Sequence, residues 1–290
     1  IIKYDKNGNV KWAECVGGNY TDNLKKIIST SDGYIVSGFF NSSELQIGED
    51  KLTDIGDILI KYDEDGNVKW ARSVEESINS LILTSDEGFL TGGTFSTNGM
   101  ITKYNKDGEI KWTKSIEGTD DESIYSAVQT SDGGYIAVGT FNSEKIQIDG
   151  YALSNNSRKE YNPYYGTYYY LYDAMIIKYN EKGDVEWAEN IGGSNDESID
   201  SIIKTSNEEY IMSGNFYSDG IQLGDFKFTG TGGMIIKLEN KELGNPVVTN
   251  AEGIGANKED EILSVSKTSD GGYIAGGYFQ GSQIKVGEYT

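Results

Sequence analysis

Apolar and polar residues alternate along most of this chain in short runs, and each run is closed by turn-forming residues. SIYSAVQ and YIAVGTF flank TSDGG, and MIIKY and VEWAE flank NEKGD. Alternation with a period of two marks half-buried strands. No segment sustains the 3.6-residue period of a helix. Gly and Asp between two such runs supply hairpin chemistry, because Gly takes positive φ freely and Asp bonds the backbone ahead of it.

The runs recur. Five segments open alike, near Ile1, Ile58, Met100, Met175 and Met234, and place a lysine at Lys3, Lys61, Lys103, Lys178 and Lys237. A second block follows each opening, such as SINSLILTSDEGFLTGGTF or EILSVSKTSDGGYIAGGYF. It carries Gly38, Gly93, Gly139, Gly214 or Gly277, with Phe40, Phe95, Phe141, Phe216 or Phe279 two residues on. The hairpin around TSDGG supplies strands a and b. The IIKY run is strand c, and the run holding Trp12, Trp70, Trp112 or Trp187 is strand d. These tryptophans recur at one place, as core filler between sheets does. The fifth copy lacks one.

A unit of about 40–45 residues with four antiparallel strands is the pattern of a β-propeller blade. The expected fold is therefore all-β, a five-bladed propeller forming a single domain over residues 1–290 and part of a larger protein. The chain opens with c and d and ends with a and b. Pairing the N-terminal outer strands with the C-terminal inner hairpin would close the ring, so residues 1–16 are expected against residues 262–279.

Composition narrows the chemistry. Among 290 residues there are 37 Gly, 2 Pro, 21 Tyr, one Cys and no His. The usual zinc sets and the Ser-His-Asp or Cys-His nucleophiles are excluded, as is an intramolecular disulfide. The net charge of −21 opposes phosphate backbones and anionic lipid, so neither nucleic acid nor membrane insertion is expected. No apolar stretch reaches the about 20 residues of a membrane helix.

The repeated pattern D-x-(I/M)-I-K-Y-(D/N)-x-x-G-x-(V/I)-x-W, then G-G-x-x-D-E-S-I, then T-S-D-G-G-Y-I-x-x-G, resembles the bacterial β-propeller repeat abbreviated SBBP. The resemblance covers essentially the whole chain. It implies a large secreted or cell-envelope protein, frequently with Ig-like neighbours, and it brings no catalytic residues. Copy five departs after Leu238, and copy four reads SNEE for SDGG.

Variation among copies marks candidate sites. From the Phe of strand b to the Lys of strand c takes 21, 8, 37 and 21 residues. Extra hairpins are expected at Leu45, Ile146, Ile221 and, cut short, Ile284, all on a loop face beside the channel mouth. The longest insertion holds Tyr161, Tyr164, Tyr165, Tyr168, Tyr169, Tyr170 and Tyr172. Such rings offer a broad amphipathic contact surface at low entropic cost, or they fold back on their own blade. Deleting residues 161–172 is expected to leave the fold intact.

Eight residues before the Thr of each TSDGG block stands Asp22, Glu76, Glu122, Glu197 or Asp260, often doubled by Asp121, Asp196 or Glu259. A ring of these carboxylates could hold Ca²⁺. Alternatively, each shapes its own loop through backbone N–H groups. The DKNGN, DEDGN and NKDGE turns lack the full calcium-loop set and read as β-turns.

The leading functional expectation is a non-catalytic adhesion or binding module, secreted or displayed at a bacterial surface, recognising a glycan or a protein through the Tyr-rich face. A rigid spacer or subunit, meeting neighbouring domains or copies in a fibre or envelope layer, is the alternative. A carboxylate-based glycosidase ranks behind both, because no carboxylate pair stands apart from the rest.

Overall fold

A computed structural model describes residues 1–164, 166–206, 209–239, 247–255 and 260–280. These residues are all β and contain no helix. They group into two compact units, residues 1–96 with 101–111, and residues 97–100 with 112–290.

Four antiparallel sheets each have four strands in the spatial order a-b-c-d. The first sheet is Asn23–Thr30, Gly33–Phe40, Gly56–Asp63 and Val68–Val74. The second is Ser77–Leu83, Phe89–Phe95, Asn98–Tyr104 and Ile110–Ile116, whose residues are divided between the two units. The third is Glu122–Gln129, Tyr135–Phe141, Asp173–Tyr179 and Val185–Ile191. The fourth is Glu197–Lys204, Glu209–Phe216, Gly232–Glu239 and Val247–Ile254. The chain begins with a two-stranded c–d sheet, Ile2–Tyr4 and Val10–Ala13, and its last described strands are a two-stranded a–b sheet, Glu261–Lys267 and Tyr273–Tyr278. The expected pairing of residues 1–16 with 262–279 is not among the strand pairs of the described residues.

Three repeated contacts explain why the sequence repeats. The first is a close approach. In every copy strand a carries a β-bulge opposite the invariant glycine of strand b. A Cβ on Gly139 would lie 1.9 Å from the Ser123 carbonyl oxygen, and one on Gly214 equally close to that of Ser198. Only glycine fits there.

The second is a clasp. The strand-c lysine reaches the acid of the a–b turn in its own sheet: Lys61 to Asp32 (2.5 Å), Lys103 to Asp86 (3.0 Å), Lys178 to Asp132 (2.9 Å) and Lys237 to Glu209 (2.6 Å). Lys61, Lys103 and Lys178 are buried, and a buried ammonium persists only with such a partner.

The third is a seat for the tryptophan. Trp12 lies over Gly66, Trp70 over Gly108 and Trp112 over Gly183, each the turn glycine between strands c and d of the following copy. The Trp12 and Trp112 indole N–H groups donate to the carbonyls of Glu64 (3.1 Å) and Glu181 (3.3 Å) beside those glycines. Trp12, Trp70 and Trp112 are half-buried rather than sealed, whereas Trp187 is 8% exposed within the main apolar cluster of the second unit. Asn250 stands where the fourth sheet would carry its tryptophan, and the copy-five turn, residues 240–246, lies outside the described residues.

Candidate functional site

The insertions between strands b and c form the expected hairpins at Leu45–Ile47 with Asp50–Leu52, Lys145–Ile148 with Tyr151–Ser154, and Gln222–Leu223 with Phe226–Lys227. The piece expected at Ile284 lies outside the described residues. The hairpins turn outward onto strand d of their own sheets: the Ala71 N–H donates to Asp50 (2.8 Å), and the Tyr151 hydroxyl donates to the Glu186 carbonyl (2.5 Å). Packing the apolar side of a short hairpin onto the outer strand shelters an otherwise open sheet edge.

The long insertion adds a second hairpin, Lys159–Asn162 with Thr167–Tyr170. Its register sets Tyr161 opposite Tyr168 and Lys159 opposite Tyr170 on one face, since alternate residues share a face. The Tyr161 and Tyr168 rings meet at 5.2 Å, and the Lys159 ammonium lies 4.4 Å from the Tyr170 ring centroid. Tyr161, Tyr164 and Tyr168 are 54%, 86% and 66% exposed. Tyr169 and Tyr170 are half-buried, and Tyr165 lies outside the described residues.

The base of this hairpin is fixed by a dense set of bonds. Asn155 donates to the Leu171 carbonyl (2.9 Å) and accepts from the Ser157 N–H (2.7 Å). The Ser157 hydroxyl donates to the same Leu171 carbonyl (2.8 Å), and the Leu171 N–H donates to the Arg158 carbonyl (3.3 Å). The Asn156 N–H donates to Asp173 (2.8 Å), and the Tyr172 N–H donates to Asp196 (2.9 Å). Leu171 is buried and Tyr172 half-buried, its phenol pushed up to about 12 by burial and by Asp121, Tyr125, Asp196 and Glu122 nearby. Tyr172 therefore belongs to the root and not to the exposed cluster. Deleting residues 161–172 would remove Leu171 and Tyr172 from that root.

The repeated carboxylates are loop latches. Asp22 accepts from Gly18 (2.6 Å), Asn41 (2.8 Å) and Ser42 (3.2 Å) backbone N–H groups and from the Ser42 hydroxyl (2.8 Å). Burial works against its charge, but these bonds outweigh it and hold the carboxyl below its usual range. Glu197 accepts from the Gly193 (2.7 Å), Ser218 (2.9 Å) and Tyr217 (3.3 Å) N–H groups. Here burial wins, and the carboxyl rises to about 7. Glu122 occupies the same position facing Ser143, neither oxygen in full hydrogen-bond geometry, and burial again raises it to about 7. Asp260 accepts from the Gln280 N–H (2.8 Å), and Glu259 lies outside the described residues.

Glu76 differs for a visible reason. Its copy has the eight-residue connection and no serine to meet it, so the side chain turns into its own sheet and accepts from the Thr91 and Thr102 hydroxyls. Among the described residues, no three acidic side chains are grouped so as to hold a metal ion. The structure gives Asp22, Glu76, Glu122, Glu197 and Asp260 one equivalent position per copy.

One variable position escaped the sequence reading. The bulge residue of strand a is Lys25, Asn79, Tyr125, Asp200 or Leu263, the only place in that strand where five copies carry five different residues. Three of them, Lys25, Tyr125 and Asp200, reach strand b or strand c of the same sheet. Lys25 lies over the Phe39 ring at 5.5 Å and pairs with Asp57 at 3.1 Å. The Thr140 hydroxyl donates to the Tyr125 hydroxyl (3.1 Å), and the Asn215 amide donates to Asp200 (2.8 Å). Burial raises the Asp200 carboxyl to about 6. The signal was present in the aligned copies, but a bulge hides behind an unbroken strand pattern.

No family model matches the chain, and no curated protein matches it. Among solved structures, it is similar to a Bacteroides fragilis protein provisionally named a 6-phosphogluconolactonase. The two are 11% identical, with a TM-score of 0.35 over 84% of this chain and 74% of that one. A likeness that distant carries no argument about activity.

Proposed function

We propose that the chain is a non-catalytic recognition module, secreted or displayed at a bacterial surface, that meets a glycan or a protein partner through the tyrosine hairpin. The observation that carries this reading is the Tyr161–Tyr168 pair, with Tyr164 at the tip, standing in solvent on a root that hydrogen bonds hold rigid. Exposed rings on a preorganised base lose little entropy when a partner covers them. Lys159 is engaged by Glu144 (3.3 Å) and Arg158 by Glu160 (2.7 Å), so the cations of the hairpin are already paired while its rings stay exposed. The surface and secretion parts of the proposal rest on the SBBP resemblance alone.

The scaffold in this proposal is a five-bladed propeller closed by its own ends. The two half-sheets support it. Ile2 and Tyr4 are exposed while Ile60 and Tyr62, at the same repeat positions, are buried. Likewise Tyr273 and Ile274 are exposed while Tyr135 and Ile136 are buried. The complete sheets pair Tyr34 with Tyr62 and Ile35 with Lys61, and Tyr135 with Tyr179 and Ile136 with Lys178. The same register sets Tyr273 opposite Tyr4, Ile274 opposite Lys3 and Ala275 opposite Ile2.

The functional test replaces residues 160–169 with a short Gly-Ser turn, leaving Leu171 and Tyr172 in place. Glycan arrays and surface-protein pull-downs should lose their signal while the melting temperature stays within a few degrees. Retained binding by the folded variant would move the site elsewhere, and a spacer would show no signal in either protein.

A further inference from the structure

Two carboxyl groups are sealed at the root of the tyrosine hairpin. Asp173 follows the insertion directly and is completely buried. Its Oδ2 accepts from the Asn156 N–H (2.8 Å) on the root and from the Asn190 amide (2.9 Å) on strand d, while its Oδ1 has no partner. Glu197, also buried, holds the 193 loop and Ser218. The segment between them, residues 192–194, also receives the root, because the Arg158 N–H donates to the Ser194 carbonyl (3.2 Å). Gly192 lies hard against the Asp173 carboxyl, where a Cβ would sit 2.1 Å from Cγ.

The charged groups around this corner offer no relief. From strand a of the fourth sheet Glu197 faces Asp173, and from the loop before it Asp196 takes the Tyr172 N–H. On the root Arg158 is committed to Glu160, and on the hairpin Lys159 to Glu144. The first sheet has Gly56 at the position of Asp173; its buried strand-c carboxylate, Asp57, stands one residue further along and pairs with Lys25 at 3.1 Å. In the third sheet the residue at the lysine's position is Tyr125, whose hydroxyl is engaged by Thr140. The two groups that bond Asp173, the Asn156 N–H and the Asn190 amide, are both neutral.

We infer that Asp173 and Glu197 form a proton-controlled clamp on the hairpin, holding its root tight when protonated and loosening it when both ionise. A protonated Asp173 occupies the sealed corner as a neutral group. Ionised, it leaves one desolvated oxygen without a bond, and its charge acts on the Glu197 carboxyl. Burial lifts Asp173 to about 6, and burial followed by repulsion from Asp173 lifts Glu197 to about 7. Both carboxyls are raised above their usual range near 4. The folded corner therefore binds protons more tightly than the opened one. Its extra stability is complete below about pH 4 and is lost as pH rises through about 6 and 7. The clamp regulates the surface assigned to binding above and rests on that reading only for its biological consequence.

Hydrogen exchange of the whole chain tests it without a ligand. After correction for the intrinsic pH dependence of exchange, amides of residues 156–172 should lose at least about tenfold protection between pH 5 and pH 8, the factor that one unit of pKa shift represents. Strands Gly33–Phe40 and Gly56–Asp63 should change little. Asp173→Asn and Glu197→Gln should each remove most of the dependence, read as the ratio between the two pH values so that a uniform loss of stability cancels. If Asp173→Asn does not fold, Glu197→Gln and the wild-type midpoint, expected between pH 6 and 7, remain decisive. Protection that is flat with pH, or a full dependence kept by both variants, would overturn the clamp. A root that loosens as described in a protein that binds nothing keeps the clamp and removes the recognition proposal.

Discussion

Gly183→Ala isolates the contact that joins one sheet to the next. Gly183 has a φ of +85° in the c–d turn of the third sheet, and the Trp112 ring lies directly over it. An added Cβ would meet the ring atoms at 2.8, 2.9 and 3.0 Å, so the ring must retreat by a few tenths of an ångström. Two penalties add. Placing a side chain in the left-handed region costs roughly 1–2 kcal/mol. Shifting the ring weakens its packing and its N–H bond to the Glu181 carbonyl, which together contribute about 1.5–2.5 kcal/mol. Gly150→Ala is the matched control in the same unit: its φ is +89°, and nothing lies within 4 Å of the new Cβ. It incurs only the backbone penalty. Denaturant unfolding followed by circular dichroism should therefore separate the two variants by about 1.5–2.5 kcal/mol, or roughly 3–10 °C in Tm. In a Trp112→Ala background the gap should close, because there is no ring to displace. Equal costs for the two glycines, or a gap that persists without Trp112, would refute the seat.

Trp187→Ala should cost about 3–5 kcal/mol because its ring is sealed in the core, while the half-buried Trp70 should cost about 2 kcal/mol; equal losses by calorimetry would contradict that ranking. Ring closure can be read from an engineered disulfide between Ile2→Cys and Ala275→Cys in a Cys15→Ser background. Oxidation should give a crosslinked monomer, with no crosslink when Lys3→Cys replaces Ile2→Cys, since a one-residue slip turns the side chain to the other face. A ladder of multimers would assign the two half-sheets to different molecules, and an uncrosslinked chain would refute the register.

Much of the sheet plan was legible because strands, turns and copies agreed. TSDGG lies between strands a and b, NGN or KGD between c and d, and the insertion hairpins at Leu45, Ile146 and Ile221 formed where alternation predicted them. Burial of the a–b hairpin was equally readable from YIAVGTF. What was not legible depended on partners distant in sequence. The outward turn of the insertion hairpins is fixed by Asp50 and Tyr151 meeting strand d, and nothing local records that choice. Tyr172 reads as one more ring of the exposed cluster until Asp196 and Glu197 appear beside its backbone. The carboxylates of the d–a loops admitted two meanings, and the backbone amides around Asp22 and Glu197 favour the structural one. The glycine under Trp12, Trp70 and Trp112 was visible as turn chemistry alone; its second task, accepting a ring from the preceding copy, needs the packed sheets.

The second sheet shows how a missing loop is written into a core. Elsewhere the b–c insertion brings a serine, Ser42, Ser143 or Ser218, to the latch carboxylate. With that loop absent, Thr91 and Thr102 stand where the first, third and fourth sheets have Val36 with Ile60, Ala137 with Ile177, and Met212 with Ile236. Loop length and two interior side chains thus behave as one heritable trait. Grafting a hairpin after Phe95 would strand two buried hydroxyls unless Thr91 and Thr102 became apolar in the same step. Trimming a hairpin from another copy would orphan its acid unless two threonines were installed. Anyone recombining these repeats must move the three positions together.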